Sequence, residues 1–133
     1  MGLIYLDSCL VIYAVERRPT LGERIMALMA EAAENRFAIS ALVKCECLVT
    51  PLRRDDGVLE TLYRETFQRF VSLDMPEAVY LRAAELRARA GLKTPDALHL
   101  ACAQHHRCEA LWTNDDRLNK APQGLARNIL RES

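Results

Sequence analysis

Residues 3–8 read Leu3-Ile4-Tyr5-Leu6-Asp7-Ser8: four apolar side chains in a row, a carboxylate, then a hydroxyl. A run this short and this continuously apolar predicts a strand buried on both faces, as in a parallel sheet. The acid falls at the strand's end. Ser8 is placed to cap a helix carrying Leu10, Val11, Tyr13, Ala14 and Val15, which Pro19-Thr20 should break. Leu21, Ile25, Leu28, Met29 and Ala32 have helical spacing to about Glu34, with Asn35 closing the helix. Phe37-Ala38-Ile39 is a second buried run, followed by Ser40 and a helix through Val43, Cys47 and Leu48 that Pro51 is expected to terminate.

Asp55-Asp56-Gly57 opens a further helix with Leu59, Leu62, Tyr63 and Phe67, and Val71-Ser72-Leu73 predicts a third strand. Pro76 marks the start of a helix that Gly91 stops after Ala90. Thr94-Pro95-Asp96 is a helix start with Thr94 as cap, Pro in the first turn and an acid favoured by the dipole. Ala110-Leu111-Trp112-Thr113 predicts a fourth strand. A helical segment near Arg117–Lys120 and a last strand near Asn128–Leu130 complete the reading. Strands alternating with helices, without repeats or linkers, specify a three-layer α/β/α domain around a mostly parallel sheet of four or five strands. The 133 residues suit one domain, 1–133.

Composition narrows the function classes. Half the residues are apolar, and the charges balance at 18 against 18, so net charge draws the chain neither to nucleic acid nor to lipid. No apolar run approaches the ~20 residues of a membrane span, and Asp7 interrupts the N-terminal run too early for a signal peptide. The cations are mostly Arg, which suits phosphate or acidic partners but equally reflects a GC-rich genome. Arg17, Arg18, Arg53 and Arg54 are candidate substrate contacts, with a solvated surface as their ordinary use. Five cysteines, at 9, 45, 47, 102 and 108, form an odd set that predicts reduced thiols and a cytoplasmic location. Cys45 and Cys47 should point to different sides of their helix, and Cys102/His106 at i,i+4 could pair on a metal. Without a matching pair elsewhere, burial as small hydrophobes is the better reading.

The acids carry the chemistry. Asp7 follows the first strand, Asp115 follows the fourth, and Asp96 lies in the first turn of the helix entering next to that strand. Glu46 sits among apolar neighbours on the helix after the second strand. Each has an ordinary use: a cap for Asp7, a dipole partner for Asp96, a turn former for Asp115 or its neighbour Asp116, a solvated surface for Glu46. Ligands of such sheets bind at the carboxyl ends of the strands, near the point where strand order reverses. If the four converge there, their mutual repulsion requires a cation. Carboxylates with substrate phosphate suit Mg²⁺ or Mn²⁺, which would serve phosphodiester cleavage. His99, three residues beyond Asp96, would share its face and pack or support an acid rather than act directly. No phosphate-binding glycine motif occurs.

The order Leu3–Ser8, then Ser40 with Glu46, then Thr94-Pro95-Asp96-Ala97-Leu98-His99-Leu100-Ala101, then Leu111–Asp115 resembles the PIN-domain family. It is most similar to the VapC-type toxins of prokaryotic toxin–antitoxin pairs, over essentially the whole chain. The resemblance implies that Asp7, Glu46, Asp96 and Asp115 are the catalytic, metal-binding acids, with Ser8 and Thr113 as supporting polar residues. It further implies a Mg²⁺- or Mn²⁺-dependent endoribonuclease, an RNA substrate, a homodimer, and a VapB-type antitoxin that covers the site. A PIN-fold RNA-processing nuclease or RNA-binding domain without a toxin role is the alternative. A phospho-receiver module fits less well, since Asp7 is followed by Ser8-Cys9 rather than a second acid and no late Lys sits on an apolar strand.

Overall fold

The computed structural model describes residues 2–16, 21–114 and 125–132. Strands β1 (Leu3–Leu6), β2 (Arg36–Ser40), β3 (Val71–Leu73), β4 (Ala110–Thr113) and β5 (Ala126–Asn128) form a parallel sheet in the order β3-β2-β1-β4-β5. The first strand of the chain is therefore the middle strand of the sheet. From β1 the chain steps outward through β2 to β3, then crosses back to β4 on the other side. The strand order thus reverses between β1 and β4, whose register sets Leu6 against Trp112.

Helices α1 (Ser8–Glu16) and α2 (Leu21–Glu31) lie between β1 and β2, and α3 (Ala41–Arg53) and α4 (Gly57–Phe67) between β2 and β3. Helices α5 (Glu77–Ala90) and α6 (Thr94–His105) precede β4 and pack on each other, and α7 (Ile129–Glu132) follows β5. Right-handed crossovers place α1–α4 over one face of the sheet and α5–α6 over the other, which gives the three layers. The core is built from both faces of the central strands. Ile4, Tyr5, Leu6, Ala38, Ile39, Leu111 and Trp112 are all buried, as continuous apolar runs in a doubly covered sheet require.

Local chemistry explains the element ends. Asp56 caps α4 by accepting from the Leu59 amide at 3.0 Å. Gly91 closes α5 at φ 70°, a conformation glycine enters without steric cost. Five expectations need correcting, the first being that Ser8 is the first residue of α1 rather than its cap. Pro51 does not terminate α3, which continues to Arg53; Pro51 is buried in the last turn, where it gives up the bond an N–H would make to the Cys47 carbonyl, but only two helical residues follow it and its own carbonyl still accepts from Asp56 at 2.9 Å. Helix α2 ends at Glu31 rather than near Glu34, because the Ala32 amide is shared between the Leu28 and Met29 carbonyls and tightens the turn. Lys93, not Thr94, occupies the cap position of α6. The last strand lies earlier than expected, at Ala126–Asn128, since the apolar pair Ile129-Leu130 is buried as a helix against the sheet. The segment expected to be helical near Arg117–Lys120 lies outside the described residues.

Among the described residues, no helix is long and apolar enough to cross a membrane.

Candidate functional site

Strand alternation places Tyr5 and Asp7 on one face of β1, two residues apart. The Asp7 amide still bonds to the Trp112 carbonyl at 3.0 Å, so Asp7 is held beside the end of β4, at the point where strand order reverses. Only 8% of Asp7 is exposed. Its Oδ2 accepts from the Thr113 hydroxyl at 2.7 Å, and its Oδ1 accepts from Ser8 at 3.4 Å. Two hydroxyls, from the last residue of β4 and the first of α1, therefore orient this carboxylate.

Helix α3 brings the second acid. Ser40, the last residue of β2 and fully buried, caps α3 by accepting from the Val43 amide at 3.4 Å. Val43, Cys47 and Pro51 form the buried stripe of that helix at i, i+4 and i+8. Glu46, beside that stripe, is half-buried, and its Oε1 lies 2.6 Å from His99 Nε2. The same Nε2 is 3.8 Å from Asp7 Oδ1. His99 is 1% exposed, and its other nitrogen, Nδ1, lies 2.6 Å from the Tyr5 hydroxyl, which is also 2.7 Å from Ser40 Oγ.

Asp7, Glu46 and His99 thus present ligand atoms that all lie within 4.8 Å of one another. Burial works against ionisation of Glu46, but the hydrogen bond and attraction from His99, with help from the Ser8 hydroxyl, outweigh it and hold the carboxyl below its ordinary range. Burial raises the Tyr5 hydroxyl well above its usual range, so it remains a phenol. Two carboxylates held this close, one of them buried, suit a hard divalent cation: they supply oxygen donors and leave positions for water and phosphate. The donor set fits such an ion.

Two of the four expected acids, Asp7 and Glu46, are therefore brought together. Asp96 lies half-buried in the first turn of α6, three residues before His99, and is not part of the 4.8 Å group. Asp115 lies outside the described residues. Ser8 and Thr113 both touch Asp7. His99 carries the supporting contact expected of it. Tyr5 was readable only as a core residue, although a buried phenol two residues before a buried acid implies a polar partner on that face.

Other expectations resolve locally. Cys45 is exposed and Cys47 buried, as their spacing on α3 requires. Cys102 and His106 both donate to the Asp74 carbonyl, at 3.9 and 2.7 Å. Arg53 and Arg54 are exposed, whereas Arg17 and Arg18 lie outside the described residues.

The PIN domain family matches residues 4–124. This chain is a PIN domain. Solved structures agree in fold. A toxin–antitoxin complex from Klebsiella pneumoniae is 24% identical with a TM-score of 0.78, covering 95% of this chain and 97% of that one. VapBC2 from Rickettsia felis, bound to a DNA fragment from its promoter, is 18% identical with a TM-score of 0.79, covering 94% and 97%. DNA-bound VapBC from Salmonella typhimurium is 13% identical with a TM-score of 0.72, covering 97% and 99%. No curated protein matches the sequence. PIN domains are generally nucleases, and this one carries a buried acidic cluster where its sheet reverses order.

Proposed function

We propose that residues 1–133 form a single nuclease domain, a divalent-metal-dependent endoribonuclease that acts as the toxin of a type II toxin–antitoxin pair in the cytoplasm. The observation that carries this reading is the Asp7–Glu46 pair, held within reach of one ion beside Thr113 at the switch point of the sheet. The neighbouring structures that are toxin–antitoxin complexes support the toxin role. Asp7, Glu46, Asp96 and Asp115 hold Mg²⁺ or Mn²⁺ in this reading. The bound cation supplies Lewis-acid polarisation of the scissile phosphodiester and lowers the pKa of a water.

The chain's own residues do the rest. Thr113 and Ser8 fix the rotamer of Asp7, so its oxygens are aimed before substrate arrives. Glu46, kept ionised, offers a second oxygen donor at ordinary pH. Burial of Asp7 keeps bulk water from screening the site, which strengthens its hold on an ion. The partners proposed are RNA, a VapB-type antitoxin covering the acids, and a second copy of the chain.

RNA cleavage by the purified protein, with Mg²⁺ or Mn²⁺ and with EDTA, tests the activity. Metal-dependent cleavage that falls at least 100-fold in Asp96→Asn is expected, a loss in the range set by removing one transition-state contact. Undiminished cleavage in EDTA or in that variant overturns the reading. Growth arrest on expression, relieved by a neighbouring DNA-binding protein, is expected of the toxin. Nuclease activity without arrest would instead assign the chain to RNA processing.

A further inference from the structure

Four side chains around the acids form a closed circuit that the metal ligands alone do not explain. Glu46, once ionised, can only accept, so the 2.6 Å contact requires His99 Nε2 to carry a hydrogen. That nitrogen then has no lone pair to offer an ion. The other ring nitrogen meets the Tyr5 hydroxyl at 2.6 Å, and Tyr5 meets Ser40 Oγ at 2.7 Å. Ser40 is the cap of α3, the helix that carries Glu46. The circuit leaves α3 at its first turn, passes through the middle strand and α6, and returns to α3 at Glu46. The Tyr5 and His99 rings also pack edge to face, with centroids 5.6 Å apart, so the imidazole is fixed by packing as well as by bonding.

We infer that His99 is a positioning residue rather than a metal ligand: its Nε2–H aims the Glu46 carboxylate, and Tyr5, tied to the helix cap Ser40, holds the imidazole in place. This inference rests on the metal-site reading of Asp7 and Glu46 given above. An acid on the second turn of a helix has free rotamers, and the Glu46 side chain is partly open to solvent; a short bond from a buried donor selects one of them. Outer partners of this kind typically change metal affinity 10–100-fold when removed.

The test uses Mn²⁺ as probe on the full chain. Electron spin-echo spectroscopy of the Mn²⁺-loaded protein is expected to show no directly ligated imidazole nitrogen. Nitrogen-15 NMR of the metal-free protein is expected to show a protonated His99 Nε2. Mn²⁺ affinity measured by titration should fall at least tenfold in His99→Leu, and His99→Gln, whose amide presents an N–H at similar reach, should recover most of it. Tyr5→Phe, which retains the ring packing, should fall between wild type and His99→Leu. A ligated nitrogen, a bare Nε2, or wild-type affinity in a folded His99→Leu overturns the inference; if His99→Leu does not fold, unchanged affinity in Tyr5→Phe does so. A wild-type protein that binds no Mn²⁺ overturns the metal-site reading itself, and this inference with it.

Discussion

Replacing Asp7 by Asn removes a negative charge while keeping the shape of the side chain. In the metal-free protein that charge is a burden. Its nearest oxygen lies within 4.8 Å of a Glu46 oxygen, and two like charges at that distance repel by about 3 kcal/mol at an effective dielectric of ~20. Glu46 is 31% exposed at its side chain, so solvent reduces the repulsion to roughly 2 kcal/mol. Against this, the 2.7 Å bond from Thr113 becomes a neutral one, which costs about 1 kcal/mol. The balance is a gain of about 1 kcal/mol, or roughly 3–4 °C in Tm for a chain of this size. With Mg²⁺ at ~100 times its Kd, wild type gains about 2.7 kcal/mol, some 9–10 °C, and the variant gains little. Thermal unfolding in EDTA and in Mg²⁺ should therefore show the two curves exchanging order. A variant less stable than wild type in EDTA by 1 kcal/mol, or one that gains as much from Mg²⁺, refutes the electrostatic account of the site.

Three further outcomes are expected. Thr113→Val deprives a buried carboxylate of its strongest donor and should cost about 1–3 kcal/mol of stability by chemical denaturation, together with weaker Mn²⁺ binding. Glu46 has its carboxyl lowered on folding, so its contribution is present above the ordinary carboxylate range and is lost as pH falls through the lowered value; Glu46→Gln should flatten that part of the metal-free stability profile, and an unchanged acid limb would contradict it. Alkylation of the native protein at mildly alkaline pH should label exposed Cys45 first, because burial pushes Cys9 and Cys102 up to about 12 and Cys108 up to about 11. Peptide mapping that finds Cys47 labelled as fast as Cys45 would mean that α3 faces the sheet differently.

The parallel sheet was readable from runs such as Leu3–Leu6, because only a doubly covered strand tolerates so continuous an apolar stretch. The register of acids against strand ends followed from the same runs, which is why Asp7 and Glu46 meet as expected. What escaped the sequence is contact across distance. Nothing local to Tyr5 tells that its hydroxyl reaches residue 99, since that neighbour is fixed by how α6 crosses the sheet. Pro51 and Ile129-Leu130 misled for another reason. A proline so near the end of a helix costs one bond without stopping the last two residues from staying helical, and a two-residue apolar pair fits a strand and a helix turn equally well.

The placement of the opening strand at the centre of the sheet has a consequence for how the protein comes into being. As the polypeptide is elongated, one of the two flanks of the strand that carries Asp7 does not exist until residues 110–113 have been synthesised. Of the two hydroxyls that orient Asp7, the one that makes the shorter bond arrives 106 residues after it. Loop closure over such a span is slow and precedes any reward from the contacts it forms. No nascent fragment lacking β4 can assemble Asp7 with its Thr113 contact, so the proposed activity waits on the synthesis of residues 110–113.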